Sequence, residues 1–351
     1  MKLLKNMEEN DFEQLLVCQD RKSGLKAAIA IHSTARGPAL GGTRMWPYSS
    51  EEEAFNDVLH LARAMSYKNA VAGLPLGGGK GVIIGDPEKD KSETLFRTYG
   101  SFIDRLQGWY ITAEDAGTCP EDMDLIASQT RWALGTTSSG GDPSPSTARG
   151  VKQGMKAALE HLYGTKDLAG RVIAVQGAGH VGAFLCRLLA EDGAKLVISD
   201  INRDKADYIA AELGATVVSP EEITEVSCDI FAPCALGAVI NDDTLGRLKC
   251  SIVAGAANNV LKEYKHGYGL FHRGILYAPD YVVNAGGVIF VADQLESHDP
   301  ERVMRRIHGI YDTCKEIFRL AEKDGIAPFV AADRIAERRM VKGSTENEAV
   351  G

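Results

Sequence analysis

Apolar and polar positions alternate in short blocks along the second half of the chain, and this pattern predicts strands separated by helices. Strands are predicted at residues 172–176, 196–200 and 215–218, and each intervening segment has apolar residues at helical spacing. An alternation of strands and helices is typical of a parallel, doubly wound sheet, which binds ligands beyond the carboxyl ends of its strands. We therefore predict an α/β fold.

The first half contains a predicted helix that ends close to candidate chemistry. Three glutamates follow a serine cap, at Ser49 or Ser50, and match the helix macrodipole, and the apolar face that follows leads to Lys68. Further along, two closely spaced prolines interrupt helical structure before a new amphipathic helix starts. We place a domain boundary there, with residues 1–142 in one domain and residues 143–324 in the other.

Composition places the chain among ordinary globular proteins. Its 351 residues, 44% of them hydrophobic and 25% charged, argue against wholesale disorder and against a membrane-embedded body. The net charge of −9 and the lack of a long basic stripe argue against a nucleic-acid partner. We expect a cytoplasmic protein with reduced cysteines and no metal site, because the sequence shows no signal core, CxxC pair or ligand-spaced histidine pair.

Glycine is in excess, at 37 of 351 positions, and one glycine cluster predicts a dinucleotide site. Gly177, Gly179 and Gly182 form a G-x-G-x-x-G motif between a predicted strand and a predicted helix, where glycines permit a tight turn and close approach of a pyrophosphate. Asp200 ends the next strand, where a carboxylate accepts from ribose hydroxyls and repels a 2′-phosphate, which favours NAD over NADP. Arg203 weakens that preference, since a cation could hold a phosphate. A glycine turn without a ligand is the structural alternative.

A second glycine cluster lies between two lysines. Lys68 and Lys80 are twelve residues apart, and three consecutive glycines directly precede the second lysine. Such a run is costly to order, which indicates a functional role, although the segment lacks the pattern of a phosphate loop. Two such lysines could hold a carboxylate and, if one were desolvated, activate a carbonyl or a water. Two surface lysines explain the spacing equally well.

Two adjacent carboxylates, Glu114 and Asp115, stand at a predicted strand end before a glycine turn. This is a usual position for a general base, and a carboxylate that merely completes an Asx turn is the alternative. His180, inside the glycine motif, is expected to be structural because the positive end of a helix disfavours a cation. No histidine has the spacing of a catalytic triad or a metal site.

Taken in this order, the clusters resemble the amino acid dehydrogenase superfamily of glutamate, leucine, valine and phenylalanine dehydrogenases, and are most similar to its leucine dehydrogenase branch. The segments that carry the resemblance are 37–46, 68–81, 112–115, 233–238 and 284–288. The resemblance implies an N-terminal α/β substrate domain and a C-terminal Rossmann-like, doubly wound NAD-binding domain with a cleft between them. It also implies that helices from about residue 325 to 351 return to the first domain, and that the chain forms a homo-oligomer, from dimer to octamer.

The resemblance also assigns roles to matching positions. Lys80 and Asp115 would be catalytic, with Lys80 activating water and polarising the reacting carbon and Asp115 exchanging protons with the amine. Lys68 would hold the substrate α-carboxylate, and Thr147 would contact the nicotinamide carboxamide. The other implied substrate-binding residues are Leu40, Gly41, Ala113, Val288, Val291 and Asn259. The other implied cofactor-binding residues are Gly177, Gly179, His180, Val181, Gly182, Asp200, Ala235, Asn258 and Asn284. Which of the two adjacent asparagines contacts substrate and which contacts cofactor is left open.

Two positions bear on the substrate side chain. Leu40 and Val291 stand where glutamate dehydrogenases carry a lysine and a serine, so the distal carboxylate of glutamate would be buried without a partner. An apolar pocket of this kind suits leucine, valine or isoleucine. His180 and Phe290 depart from the leucine dehydrogenase pattern, each replacing an asparagine, and at helical spacing Phe290 points about 100° away from Val291.

The resemblance therefore implies an NAD-dependent enzyme that reversibly deaminates a branched-chain L-amino acid, such as leucine, valine or isoleucine, to its 2-oxo acid, ammonia and NADH. The amino acid and the 2-oxo acid would be its small-molecule partners, with neither nucleic acid nor membrane. Two alternatives stay open. One is a phenylalanine dehydrogenase, and the other is a non-catalytic dinucleotide-binding regulator, against which the joint presence of Lys68, Lys80 and Asp115 argues.

Overall fold

The computed structural model of the chain describes residues 3–139, 141–235, 237–296 and 298–348. These ranges contain helices and strands in the following order. The helices are α1 (Leu3–Glu9), α2 (Glu51–Val71), α3 (Glu93–Asp104), α4 (Pro120–Ala127), α5 (Ser144–Tyr163), α6 (His180–Glu191), α7 (Arg203–Leu213), α8 (Tyr264–His272), α9 (Asp280–Val283), α10 (Gly286–Asp293), α11 (Pro300–Asp324) and α12 (Pro328–Glu348). The strands are β1 (Gln14–Asp20), β2 (Leu25–Ser33), β3 (Ala39–Leu40), β4 (Thr43–Trp46), β5 (Gly77–Ile84), β6 (Tyr110–Ile111), β7 (Val172–Gln176), β8 (Lys195–Ser199), β9 (Thr216–Val217), β10 (Ser227–Pro233), β11 (Lys249–Val253) and β12 (Leu276–Tyr277). Across the described ranges, no helix combines the length and the apolar character needed to cross a membrane.

The chain folds into two compact units. The first unit combines Met1–Gly141 with Val291–His298 and Ala336–Gly351, and the second combines Asp142–Phe290 with Asp299–Ile335. The first division falls one residue before the boundary that the prolines predicted. We therefore describe each unit by itself.

The C-terminal helix differs from the expectation in where it joins the first unit. The predicted return starts at about residue 325, but α12 belongs to the second unit as far as Ile335. Phe329 explains this difference, because it packs in a core cluster with Phe231 and Val253. Farther along α12, the Arg339 guanidinium donates to the carbonyl oxygen of Val71 at the end of α2, at 2.6 Å. Residues 349–351 of the predicted segment lie outside the described residues.

The first unit contains a six-stranded mixed sheet. Its strand order is β1-β2-β5-β3-β6, with β4 also paired to β5. β1 and β5 are antiparallel to β2, whereas β3 and β4 are parallel to β5. Alternate side chains of β2 enter two separate cores, Ala28 and Ala30 with α2 on one face, and Ile29 and Ile31 with α3 and α4 on the other. Strand β5 therefore lies in the interior of a sheet that is covered on both faces.

Close packing explains the glycine run before Lys80. A Cβ atom added at Gly78 would lie 2.0 Å from the backbone nitrogen of Ser66 in α2, closer than any side chain allows. The glycine lets α2, which carries Lys68, rest directly on the strand that carries Lys80. The cost of ordering these glycines thus has a packing reason as well as a functional one.

A buried histidine in this unit has a consequence for stability. His32 in β2 is 6% exposed, with Nδ1 2.8 Å from Ser66 Oγ and Nε2 3.2 Å from the Asn10 carbonyl oxygen. Burial, reinforced by the charge of Arg63, lowers the pKa of His32 to about 4. Because this folded-state pKa lies below the unfolded-state value of about 6.5, the unfolded chain binds the proton first as the pH falls.

We expect the free energy of unfolding to fall by about 3 kcal/mol, through this group alone, as the pH drops from about 6.5 to about 4. His32→Gln should flatten that part of a denaturation series measured against pH. His60→Gln is the matched control, since His60 is exposed on α2. An acid limb that is equally steep in His32→Gln and in the unmodified protein would contradict the assignment.

The second unit contains a six-stranded parallel sheet. Its strand order is β12-β11-β10-β7-β8-β9, and the paired strands run parallel. The chain proceeds outward from β7 through β8 to β9 and then resumes on the other side with β10, so the switch point lies between β7 and β10. Ligands of such sheets bind outside the carboxyl ends of the strands at this point. The predicted two-domain α/β fold with a doubly wound parallel sheet is confirmed.

Candidate active site

Lys80 lies in the middle of β5 and its side chain is buried, at 5% exposure. Strands β2 and β3 flank β5 on its two sides. The Lys80 Nζ atom lies 3.1 Å from Asp115 Oδ2. Lysine is almost never buried unless it is paired, so the surface-lysine alternative is wrong for Lys80.

Asp115 follows β6 closely in the chain. A parallel β-bridge between Thr43 and Glu114, the residue before Asp115, extends the strand pairing almost to this position. The Asp115 backbone N–H donates to Thr118 Oγ1 at 2.9 Å, and that hydroxyl lies 2.9 Å from the carbonyl oxygen of Thr43, to which it can donate. Thr118 therefore closes the turn. The Asp115 carboxylate is directed to Lys80 instead, so the Asx-turn alternative does not describe what this side chain does.

Sequence reasoning missed Arg44, which also binds Asp115. The Arg44 Nε atom donates to Asp115 Oδ2 at 2.9 Å, and its Nη1 atom donates to Asp57 Oδ2 at 3.1 Å. The hydroxyl of Tyr48 donates to the same Asp57 oxygen at 2.5 Å. The signal in the sequence was weak, because Arg44 is a single arginine between Thr43 and Met45, two buried residues of the short strand β4.

These charges decide the protonation state of Asp115. Burial by itself raises the pKa of the Asp115 carboxyl, but the ammonium of Lys80 and the guanidinium of Arg44 outweigh it and lower the pKa to about 2. Asp115 is therefore ionised throughout the neutral range. An ionised carboxylate next to a buried cation can accept a proton from a substrate ammonium group and pass it on.

Lys68 lies in the last turn of α2 and is partly buried. Its neighbour Asn69, a second residue that sequence reasoning missed, is fully buried and ties the end of this helix to two strands. Asn69 Nδ2 donates to the carbonyl oxygens of Gly77 at 2.6 Å and Leu40 at 3.3 Å. The end of α2 is thereby attached to β5, which carries Lys80, and to β3, which carries Leu40.

Leu40, Gly41 and Ala113 lie together at the ends of β3 and β6. Leu40 and Ala113 are buried, at 1% and 7% exposure. A Cβ atom added at Gly41 would lie 1.8 Å from the carbonyl oxygen of Gly79, so this glycine allows two backbones to approach each other. Contact of these three residues with a substrate stays a prediction.

Helix α10 carries Val288, Phe290 and Val291, which are all partly buried. The division between the units falls inside this helix, with Val288 and Phe290 in the second unit and Val291 in the first. A Cβ atom added at Gly286 would lie 2.0 Å from the carbonyl oxygen of Ser146, so the start of α10 packs tightly on α5. Val288 and Val291 share one helix face because they are three residues apart.

The glycines of the predicted dinucleotide motif have different surroundings in the second unit. Gly177 has a φ of +106°, and an added Cβ would lie 2.8 Å from the Ala235 nitrogen. A Cβ at Gly182 would lie 1.9 Å from the carbonyl oxygen of Gly177. At Gly179, by contrast, no atom of the described residues lies within 4 Å of an added Cβ. The protein's own packing explains Gly177 and Gly182, whereas Gly179 borders open space that a ligand can enter.

Asp200 follows β8 and is bonded to the glycine loop. Its Oδ2 accepts from the Ala178 N–H at 2.7 Å and its Oδ1 accepts from the Asn202 N–H at 2.8 Å. Arg203, which weakened the preference for NAD, forms an ion pair with Asp207 at 3.0 Å within α7.

An open depression of about 410 Å³ lies between the glycine loop and α7. Its lining residues are Ala178, Gly179, His180, Ala183, Asn202, Asp204, Lys205, Tyr208 and Ile209. His180 is exposed, with Nδ1 3.7 Å from Asp142 Oδ2, and Val181 is partly buried. The histidine at the position of the usual asparagine therefore lines the depression.

The second unit also contains three other residues predicted to bind the cofactor, Thr147, Asn258 and Asn284, and one predicted to bind substrate, Asn259. Asn284 is 3% exposed, and its Nδ2 donates to Asn258 Oδ1 at 2.8 Å. Its Oδ1 has no hydrogen-bond partner among the residues that the structure describes. Asn259 is exposed with a φ of +51°, and Thr147 lies in the first turn of α5. A buried acceptor without a donor fits a carboxamide group that supplies one.

One cluster away from these residues has the spacing of metal ligands, namely Asp242, Glu263 and His266. The Lys265 ammonium lies 3.0 Å from Asp242 and 3.3 Å from Glu263, and so supplies the compensating charge. His266 Nδ1 accepts from the Glu263 N–H, which leaves the proton on Nε2 and makes that atom a donor. This arrangement gives no support for a bound metal.

Family models match both units. A model described as "Glu/Leu/Phe/Val dehydrogenase, dimerisation domain" matches residues 13–132, and a model described as "Glutamate/Leucine/Phenylalanine/Valine dehydrogenase" matches residues 141–214 and 198–347. The chain belongs to the glutamate/leucine/phenylalanine/valine dehydrogenase family. It is an amino acid dehydrogenase, and the predictions of the family and of an enzyme are confirmed. Membership of this family implies a nicotinamide dinucleotide cofactor and small-molecule substrates.

Relatives within the family are similar over nearly their whole length. The leucine dehydrogenase of Thermoactinomyces intermedius is 57% identical over 343 residues, which are 97% of this chain and 94% of the relative. The valine dehydrogenase of Streptomyces coelicolor is 50% identical over 95% of this chain and 94% of its own. The crystal structure of an L-tryptophan dehydrogenase from Nostoc punctiforme has a TM-score of 0.88 at 44% identity, covering 97% of this chain and 99% of that chain.

Proposed function

We propose that this dehydrogenase uses NAD to deaminate a branched-chain aliphatic L-amino acid, reversibly, to its 2-oxo acid, ammonia and NADH. The buried ion pair between Lys80 and Asp115 supports this proposal most directly, because it places a proton acceptor beside a cation in the interior of the sheet. The apolar Leu40 stands on β3, the strand that pairs with both β5 and β6. The leucine and valine dehydrogenases among the relatives support the substrate class.

The residues of the first unit would act in sequence on the substrate. Lys68 would hold the α-carboxylate, and Asp115 would accept a proton from the substrate ammonium to give a neutral amine. A bound nicotinamide dinucleotide supplies the acceptor for the hydride that leaves Cα. Lys80 would then orient a water molecule that adds to the carbon of the resulting iminium ion, and its charge would stabilise the oxygen as ammonia leaves.

The residues of the second unit fit the cofactor that this reaction needs. Gly179 would admit the pyrophosphate at the start of α6, and Asp200 would accept from the adenine ribose. Asn284 and Thr147 would bind the nicotinamide carboxamide, with Asn284 Oδ1 available to accept from its amide. Asp200 retains unused acceptor capacity for a ribose hydroxyl, since each of its oxygens accepts one backbone N–H.

Replacing Gly179 by alanine should lower the affinity for the cofactor without lowering the stability of the fold. The position has an ordinary φ of −69° and open space around an added Cβ, so the new methyl group meets no protein atom of the described residues. It would occupy the path of the pyrophosphate, and a displacement of about 1 Å can cost about 100-fold in activity. We expect the Kd for NADH, measured by fluorescence titration, to rise 10- to 100-fold by that order-of-magnitude argument, with an unchanged Tm.

Gly246→Ala is the matched control for this variant, because Gly246 also lies in the second unit with no atom within 4 Å of an added Cβ. It should leave both the Kd and the Tm unchanged. If Gly179→Ala binds NADH as tightly as the control does, the glycine motif does not hold the cofactor.

The Asp200 carboxylate should determine the preference for NAD over NADP. Asp200→Asn removes the charge that repels a 2′-phosphate and keeps an oxygen that can accept from the Ala178 N–H. We expect the ratio of kcat/KM for NAD to kcat/KM for NADP to fall by at least about 10-fold, which corresponds to about 1.4 kcal/mol. Asp167→Asn is the control, since this carboxylate also accepts a backbone N–H, from Ala169, in an exposed loop. Equal use of NAD and NADP by the unmodified enzyme would refute the assignment.

A second candidate is an aromatic amino acid dehydrogenase, which the sequence analysis left open as a phenylalanine dehydrogenase. The tryptophan dehydrogenase structure favours keeping this alternative, because it covers 97% of this chain at 44% identity. NADH formation from leucine, phenylalanine and tryptophan, compared as kcat/KM, separates the two proposals.

A homo-oligomer is part of the proposal, in keeping with the description of the N-terminal family model. The cytoplasmic location stays a prediction.

A further inference from the structure

The carboxylate of Asp115 is bound by the protein through one oxygen. Lys80 Nζ at 3.1 Å and Arg44 Nε at 2.9 Å both approach Oδ2. Oδ1 accepts no hydrogen bond from any residue that the structure describes. The two oxygens of this carboxylate are therefore unequal, and Oδ1 remains for a proton donor that is not part of the protein.

Arg44 is itself held by a second carboxylate, that of Asp57. Its Nη1 atom donates to Asp57 Oδ2 on α2 at 3.1 Å, and the Tyr48 hydroxyl holds that same oxygen. Arginine presents a planar group whose nitrogens can bind two carboxylates in fixed directions. The guanidinium thus spans from α2 to the Asp115 carboxylate and cannot rotate without breaking one of the two ion pairs.

Arg44 places a second cation at the Asp115 oxygen that Lys80 also binds. Burial disfavours the ionised form of a carboxyl group, and a nearby positive charge favours it. Arginine does not give up its proton in proteins, so the positive charge of Arg44 beside Oδ2 is permanent.

We propose that Arg44 is a positioning residue for the proton transfer: together with Lys80 it keeps Asp115 ionised, and by binding Oδ2 it leaves Oδ1 to the substrate ammonium. This inference rests on the proposed role of Asp115. It assigns to Arg44 no contact with substrate or cofactor.

The lowered pKa of Asp115 agrees with this role, because burial raises it and the charges of Lys80 and Arg44 together outweigh burial. Removing Arg44 leaves burial opposed by Lys80 alone, so the pKa of Asp115 rises. The groups that bear on the Asp115 charge come from several elements. They are Lys80 on β5, Arg44 on β4, Tyr110 on β6, Asp57 on α2 and Tyr48 after β4.

The test is the pH profile of kcat/KM for leucine in Arg44→Met. We expect a loss of roughly 100-fold in kcat/KM at the optimum, within the range typical of a disturbed general base, and an acid limb displaced toward neutral pH. Arg44→Lys should show a smaller displacement of the acid limb than Arg44→Met. Lysine restores the positive charge but lacks a second nitrogen that could bind Asp57 at the same time. Guanidinium ion, added far below denaturing concentrations to Arg44→Ala, should restore activity. Arg97→Met removes an exposed ion pair on α3, away from Asp115, and should leave the profile unchanged.

The outcomes separate this inference from the function on which it rests. If the unmodified protein forms no NADH from any amino acid, the proposed function fails. If it is active and Arg44→Met keeps both kcat/KM and the acid limb, or loses only Tm, the inference about Arg44 fails alone. Should Arg44→Met not fold, Asp57→Asn replaces it: loss of the outer anchor should displace the acid limb in the same direction by a smaller amount, and an unmoved limb would overturn the inference.

Discussion

Lys80→Ala is expected to lower kcat for leucine by about three orders of magnitude, within the range for loss of a group that acts in the transition state. The reason is geometric: the Lys80 ammonium is buried in β5 and paired with Asp115, so its loss removes the cation that the mechanism requires at this position. NADH affinity should be unchanged, because the glycine motif lies in the other unit. The protein should remain folded, since Asp115 keeps its bond to Arg44.

Steady-state kinetics and an NADH titration on the same preparation check this expectation. Lys26→Ala is the matched control, because Lys26 is exposed on the neighbouring strand β2. It should behave as the unmodified enzyme does. A Lys80→Ala enzyme with near-normal kcat would show that the buried ion pair is structural and would remove the main support for the mechanism.

Glutamate should be a poorer substrate than leucine by at least about a thousandfold in kcat/KM, because burying its second carboxylate without a donor costs several kcal/mol. Leu40, where glutamate dehydrogenases carry a lysine, offers no such donor. Leu40→Ala should lower kcat/KM for leucine and move the substrate preference toward bulkier side chains such as those of methionine and phenylalanine. Discrimination among leucine, valine and isoleucine should be shallower, at about 1 to 3 kcal/mol, since a methylene in an apolar pocket is worth no more.

A matched variant is needed here, because truncating a buried leucine costs about 2 to 5 kcal/mol of stability wherever it stands. Leu25→Ala provides it, since Leu25 is fully buried on β2 of the same unit. Both variants should lose stability, and only Leu40→Ala should change the ratio of leucine to phenylalanine turnover. Identical ratios in the two variants would show that Leu40 does not contact the substrate side chain.

The dinucleotide region could be predicted from sequence because its parts are contiguous. Strand β7, the glycine turn and helix α6 follow one another within residues 172–191, and each has a local pattern of its own. The separate roles of the glycines were not visible in the motif. Packing against the chain explains Gly177 and Gly182, and open space distinguishes Gly179.

The charged cluster of the first unit could be predicted only in part. Lys80 and Asp115 were found as candidates, but nothing local brings them together, because they lie 35 positions apart and meet through the pairing of β3 with β5 and β6. Arg44 was missed because its short strand β4 is an additional partner of β5, beside the order β1-β2-β5-β3-β6. No periodicity in the sequence predicts such a pairing. Asn69 was missed for a similar reason, since a buried asparagine in a helix has no pattern of its own.

The most direct measurement of the central claim is NADH formation by the purified, unmodified protein with a panel of L-amino acids, scored as kcat/KM with NAD. Leucine, valine and isoleucine should give the highest values, phenylalanine and tryptophan lower ones, and glutamate almost none. A preference for an aromatic amino acid or for glutamate, or no NADH from any of them, would contradict the claim.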